Sequence, residues 1–135
     1  MNSFLTRRLV FSASHRLHSP SLSAAENRRL FGKCNLKNGH GHNYVLELTL
    51  RGPIHPETGM VFSLSRLKKI LTDTVERELD HKHLNLDVPA FKRMNPTVEN
   101  LAAYIWKLVE KKLPKGLLHE VKLYETENNI ATYRG

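Results

Sequence analysis

Polar and apolar positions alternate along some stretches of this chain and recur at helical spacing along others. In Arg7 to Ser14, Leu9, Phe11 and Ala13 fall on one side of a strand, because successive side chains point to opposite faces. His42 to Arg51 is a clearer strand. Tyr44, Leu46, Leu48 and Leu50 share one face, and Glu47, Thr49 and Arg51 lie opposite. The turn formers Gly52-Pro53 and Pro56-Glu57-Thr58-Gly59 follow. Leu64, Leu67, Ile70, Leu71, Val75 and Leu79 then predict a helix capped by Ser63 or Ser65. A second helix opens near Asn95-Pro96-Thr97, with Asn95 or Thr97 as cap and Glu99 in the first turn. Its stripe is Val98, Leu101, Ala102, Ile105, Leu108 and Val109, and Pro114 and Gly116 end it. Glu120 to Thr126 and Ile130 to Arg134 read as two closing strands joined by an Asn128-Asn129 turn. The order β-β-α-α-β-β predicts an α+β fold, a four-stranded antiparallel sheet with two helices on one face. Such a sheet has two unpaired edges, which favours assembly through them.

Composition narrows the class. A length of 135 residues suits one domain, here residues 1–135, and 40% hydrophobic with 25% charged residues is an ordinary globular balance. No apolar run approaches the roughly 20 residues that span a bilayer, and no signal-peptide core follows Arg7-Arg8. A soluble cytoplasmic protein is expected. The single cysteine, Cys34, allows no internal disulfide. The net charge of +8 attracts phosphates, polymeric or on a small substrate. The lysines and arginines are scattered, and no nucleic-acid motif accompanies them, so a basic nucleic-acid-binding module rests on charge alone.

The candidate chemistry starts with histidines. His40 and His42 are two apart on a strand, and therefore face one side, in phase with Tyr44, Leu46 and Leu48. His15 stands in the same relation to Leu9, Phe11 and Ala13. Adjacent strands would gather three imidazoles at one end of the sheet, a ligand set for catalytic zinc with an open fourth position; isolated histidines or a hydrogen-bonded pair fit the same spacing. His18, His55, His83 and His119 read as loop or polar-surface residues. Cys34 lies in the turn-rich segment Gly32 to Gly39, read as a loop, where zinc, Lys33 or a histidine would lower its pKa; the alternative is an inert buried thiol. Asp80-His81 is a weak signal for a carboxylate-oriented proton carrier. Glu125 shares parity with Val121 and Leu123. It is either an inward carboxylate for a ligand rich in N–H donors, or exposed because the strand stops before it.

Taken together, these residues resemble the 6-pyruvoyl tetrahydropterin synthase family, which includes 6-carboxytetrahydropterin synthase of the queuosine pathway. The matching stretches are Phe11 to Leu17, Gly32-Lys-Cys34 through His40-Gly-His-Asn-Tyr44, Thr58 to Val61, Asp80 to Asn85, Pro96 to Asn100 and Glu125 to Asn129. The resemblance implies the tunnelling fold, in which trimers close their sheets into a barrel and pair into a homohexamer with active sites shared between subunits. It implies zinc on His15, His40 and His42, Cys34 as general base, Asp80 and His81 as its relay, and Glu125 as the pterin anchor. Thr97 and Glu99 match positions lining the pterin pocket, and Arg16 and Lys33 are candidates for a basic rim. The implied substrate is 7,8-dihydroneopterin triphosphate, which loses triphosphate as its side chain rearranges. Two details bear on the product. Five residues separate Cys34 from His40, as in the pyruvoyl enzymes of animals, whereas the queuosine branch typically has three. Pyruvoyl enzymes often carry two threonines where this chain has Thr97-Val98.

Overall fold

The computed structural model describes residues 2–135. Strand β1 (Asn2–His15) pairs antiparallel along its whole length with β2 (His40–Pro53), from Asn2 opposite Pro53 to His15 opposite His40. Helix α1 (Ala24–Phe31) and a 3-10 turn (Gly32–Asn35) lie between them. After β2 come α2 (Leu64–Leu71), a π-turn (Thr72–Glu76) and α3 (Arg77–Leu79), running on as one helical rod. Then follow β3 (Lys82–His83), α4 (Leu84–Asp87), α5 (Val98–Glu110), β4 (Leu118–Tyr124) and β5 (Ile130–Tyr133). The sheet order is β3-β1-β2-β4-β5.

Several expectations need correction. The sheet has five strands, not four: β3 adds a parallel edge, with Ala13 opposite Lys82 and Ser14 opposite His83. Two polar residues, Lys82 and His83, are too short a run to leave a periodic signal, so this strand exists only through its pairing with β1. The first strand begins at Asn2 rather than Arg7, because β2 supplies partners as far as Pro53. Helix α1 was not expected, although Ser23 and Glu26 form a capping box, each side chain bonding the other's backbone N–H. That Ser-x-x-Glu signal was legible. The predicted helix over Leu64 to Leu79 is interrupted by the π-turn, where Thr74 Oγ1 donates to the Ile70 carbonyl at 2.6 Å. The wide turn places both Thr74 and Val75 against the interior. Of the alternatives, Ser63 and Thr97 are the caps.

Register explains the core. Odd positions of β1 and even positions of β2 share a face, so Phe11 stacks on its cross-strand neighbour Tyr44 with centroids 5.1 Å apart. Leu46, Leu48 and Leu50 continue that face, fully buried, and Leu67, Leu71, Leu101 and Ile105 of the helices close over it. Each such leucine contributes about 2 kcal/mol by leaving water. The other face of the sheet is mixed, with Phe4 and Val10 exposed among polar side chains. Thr6 meets Thr49, Arg8 meets Glu47, and Ser12 donates to Asn43 Oδ1. No described helix is long and apolar enough to cross a membrane.

Candidate functional site

The same register assembles the histidines. His15 lies directly opposite His40, and His42 lies opposite Ala13, whose small side chain leaves room for a ring. All three project from the core face at one end of the sheet. Ring centroids are 4.8 Å apart for His15 and His40, 5.1 Å for His15 and His42, and 4.7 Å for His40 and His42. A nitrogen from each lies within 4.8 Å of the others. His15 Nε2, His42 Nε2 and His40 Nδ1 are buried and have no hydrogen-bond partner. Buried polar atoms are rarely left unpaired, because each costs about 1–3 kcal/mol. Three converging lone pairs therefore fit a cation.

His15 is the most constrained of the three. It is fully buried, and its Nδ1–H donates to the Pro96 carbonyl at 2.7 Å, which directs the Nε2 lone pair inward. Burial pushes its pKa down to about 4, against the opposing pull of the Pro96 carbonyl. His42 is also held below the usual imidazole range, by burial and by His40. Neutral imidazoles are the form that ligates metal.

Glu125 faces this cluster. Its Oε2 is 3.8 Å from His15 Nε2 and its Oε1 is 4.0 Å from His42 Nε2. Strand β4 ends at Tyr124, yet the side chain stays inward with 13% exposure, so neither reading of the strand pattern was complete. The turn that follows supplies the reason: Glu125 N–H donates to the Asn129 carbonyl at 2.9 Å. Burial raises the Glu125 pKa, and the charge of Glu99 raises it further. Glu99, Glu125 and Thr97 line a cavity of about 520 Å³ with Leu17 and Asn128. Thr97 also caps α5, its hydroxyl accepting from Asn100 N–H.

Cys34 is half-buried within the 3-10 turn rather than on an open loop. Its pKa is raised, by burial first and by Glu125 second, which reverses the lowering expected from Lys33 or a histidine. Four hydrogen bonds latch the turn to the chain beyond β1. Leu17 N–H donates to the Cys34 carbonyl, Arg16 Nε to the Asn35 carbonyl, and Asn35 Nδ2 reaches the Leu17 carbonyl and His18 Nδ1. Nothing in the residue pattern singled out Asn35 for this duty. Lys33 and Arg16 lie away from the Glu125 cavity, on a neighbouring one.

Asp80 and His81 are together but apart from Cys34. Asp80 Oδ1 accepts from Ser12 N–H at 2.9 Å, and Oδ2 lies 3.0 Å from His81 Nδ1. The Ser12 bond and then His81 hold the carboxyl below its usual range. His81 adopts a left-handed backbone (φ 60°), donates its N–H to the Ser12 carbonyl, and leaves its side chain 83% exposed. No hydrogen bond joins the pair to Cys34 among the described residues. His83, read as a polar-surface residue, instead carries a buried Nδ1 without a partner and adds a fourth imidazole beside His15.

Known proteins resemble this chain in sequence and fold. The 6-pyruvoyl tetrahydropterin synthase family profile matches residues 4–135. A human protein named 6-pyruvoyl tetrahydrobiopterin synthase is 53% identical over 131 residues, 97% of this chain and 90% of that one. The Drosophila melanogaster protein of the same name is 54% identical over 133 residues, 98% of this chain and 79% of that one. The solved structure of Caenorhabditis elegans 6-pyruvoyl tetrahydropterin synthase superposes with a TM-score of 0.96 at 44% identity, covering 100% of this chain and 96% of the other. This chain belongs to the 6-pyruvoyl tetrahydropterin synthase family.

Proposed function

We propose that this protein is a zinc-dependent lyase that converts 7,8-dihydroneopterin triphosphate to 6-pyruvoyl tetrahydropterin with loss of triphosphate. The observation that carries the reading is the set of buried, unpartnered imidazole nitrogens of His15, His40 and His42, with the Glu125 carboxylate 3.8 Å from His15 and 4.0 Å from His42. The names of the human and insect relatives support it. His15, His40 and His42 would hold zinc, which when bound supplies Lewis acidity to substrate oxygens and so acidifies the neighbouring C–H bonds.

The chain's own groups divide the remaining work. Glu125 accepts N–H donors from the pterin ring edge, and Glu99 and Thr97 complete that end of the cavity. Cys34 takes a carbon-bound proton as general base. In the isolated chain burial and then Glu125 raise its thiol pKa, so activation calls for positive charge from bound zinc or an imidazolium. Asp80 stabilises the charged form of His81, and the exposed pair acts as the relay toward the Cys34 of a neighbouring subunit. Arg16 and Lys33 add positive potential that draws in the triphosphate. The cytoplasmic homohexamer, a dimer of trimers, belongs to the same reading.

The test is turnover of 7,8-dihydroneopterin triphosphate with metal content measured on the same sample and products read by mass spectrometry. Zinc near one per chain, release of triphosphate and formation of 6-pyruvoyl tetrahydropterin are expected, with activity lost on chelation. Acetaldehyde release would instead identify the 6-carboxytetrahydropterin branch, which the valine at position 98 keeps as the second reading. Salt-sensitive duplex binding by a zinc-free protein without turnover would overturn both.

A further inference from the structure

A second cavity, of about 640 Å³, opens where the chain leaves β1, between the Lys37-Asn38 turn and the segment before α5. Arg16, Lys37, Lys92 and Arg93 line it, and no carboxylate does. None of these four cations enters an ion pair among the described residues; the arginine and lysine pairs that form are Arg8–Glu47, Lys69–Asp73, Arg77–Asp73 and Arg134–Glu120. An adjoining cavity shares Arg16 and Lys37, adds Arg28 and Lys33, and again has no carboxylate in its wall. Like charges gathered without counter-charges repel one another, at a cost the fold must offset elsewhere.

The walls are also held in place. Asn85 accepts from the Arg16 N–H and donates to the Arg16 carbonyl, at 2.8 and 2.9 Å. Asn95 Oδ1 accepts from the His18 N–H at 3.1 Å. These bonds tie the stretch after β1 to α4 and to the segment before α5, so the concavity is formed before any ligand arrives. Charge is segregated across the site region: the Glu125 cavity carries two carboxylates, Glu99 and Glu125, and shares no residue with this one.

We propose that this cavity binds a small polyphosphate anion. The concave shape, the four unpaired cations and the neighbouring amide side chains suit a compact, highly charged ligand with many acceptor oxygens. Two sources carry that chemistry. One is the triphosphate arm of the substrate, which rests on the function proposed above; the other is a free phosphorylated anion held independently of turnover.

Calorimetric titration of the zinc-loaded, assembled protein with inorganic tripolyphosphate tests the site. Binding is expected to weaken with added salt, and by at least about ten-fold in Lys37→Gln/Lys92→Gln/Arg93→Gln. The triple variant Lys68→Gln/Lys111→Gln/Lys115→Gln removes the same charge from exposed positions elsewhere and should bind as the parent does. No binding by the parent, equal binding by the cavity variant, or equal loss in both variants overturns the proposal, as does binding confined to duplex nucleic acid. A raised KM for 7,8-dihydroneopterin triphosphate in the cavity variant identifies the substrate arm as the occupant; an unchanged KM with lost tripolyphosphate binding identifies a free anion. Tripolyphosphate binding without any turnover would overturn the proposed function and leave this site standing. Zinc content and assembly size of each variant show that the fold is intact.

Discussion

His15 is neutral because it is buried, and the same burial ties the stability of the metal-free protein to pH. Its folded-state pKa is about 4, against an unfolded value near 6.5. Between those values the unfolded chain binds more protons, so stability is full above pH 6.5, declines as pH falls through it, and levels off below about 4, a loss of about 3 kcal/mol. In urea denaturation of chelated protein, the stability difference between wild type and His15→Asn should shrink over that window; a constant difference would contradict the account. Glu125 has a second effect. Its charge helps hold the Cys34 thiol protonated, so Glu125→Gln should speed alkylation of Cys34 by iodoacetamide at pH 8 by about three-fold, and the rate profile should move to lower pH. An unchanged profile would show that burial alone raises the thiol.

At the scale of the elements, the histidine cluster depends on how tightly the end of β1 packs on the turn entering β2. Gly39 has a positive φ of 73°, and a Cβ there would lie 2.5 Å from the His15 carbonyl oxygen. No other residue fits without moving His15 or His40. Gly39→Ala should lose about 1–2 kcal/mol for the left-handed conformation, with the clash adding to it, and should lower bound zinc. An unchanged urea midpoint with full metal content would refute this. Element boundaries also show what periodicity reveals. β2 and α5 were plain because each buries a long regular face. β3 was invisible because two residues carry no period, and the π-turn because one widened turn leaves the apolar spacing of α2 nearly intact. The electrostatics of Cys34 were misread from the sequence, since proximity to Lys33 in sequence says nothing about proximity to Glu125 in space.

In the whole molecule, one subunit does not gather all the candidate groups. Cys34 feels Glu125 on the core side of the sheet, whereas His81 projects into solvent beside the Ser12 edge. If active sites form between subunits, two inactive variants should complement each other. Cys34→Ala and His81→Ala, unfolded together and refolded as a mixture, should recover about a quarter of wild-type activity, the chance that a site draws each intact group from a different variant. Activity no higher than in the separate variants would place the full site within one chain.

The amino-acid order alone determined the period of each long element, the face on which His15, His40 and His42 lie, and a family resemblance that the comparisons bear out. Those are local properties, since side-chain direction follows from spacing along a strand or helix. Tertiary structure decided the rest. Register set His15 opposite His40 and made room for His42 at Ala13. The turn after β4 returned Glu125 to the interior, and burial reversed the expected shift of Cys34. Unpaired cations from three separate segments converged on one cavity. Distances between residues remote in the chain, and the loss of water around them, exist only once the chain has folded.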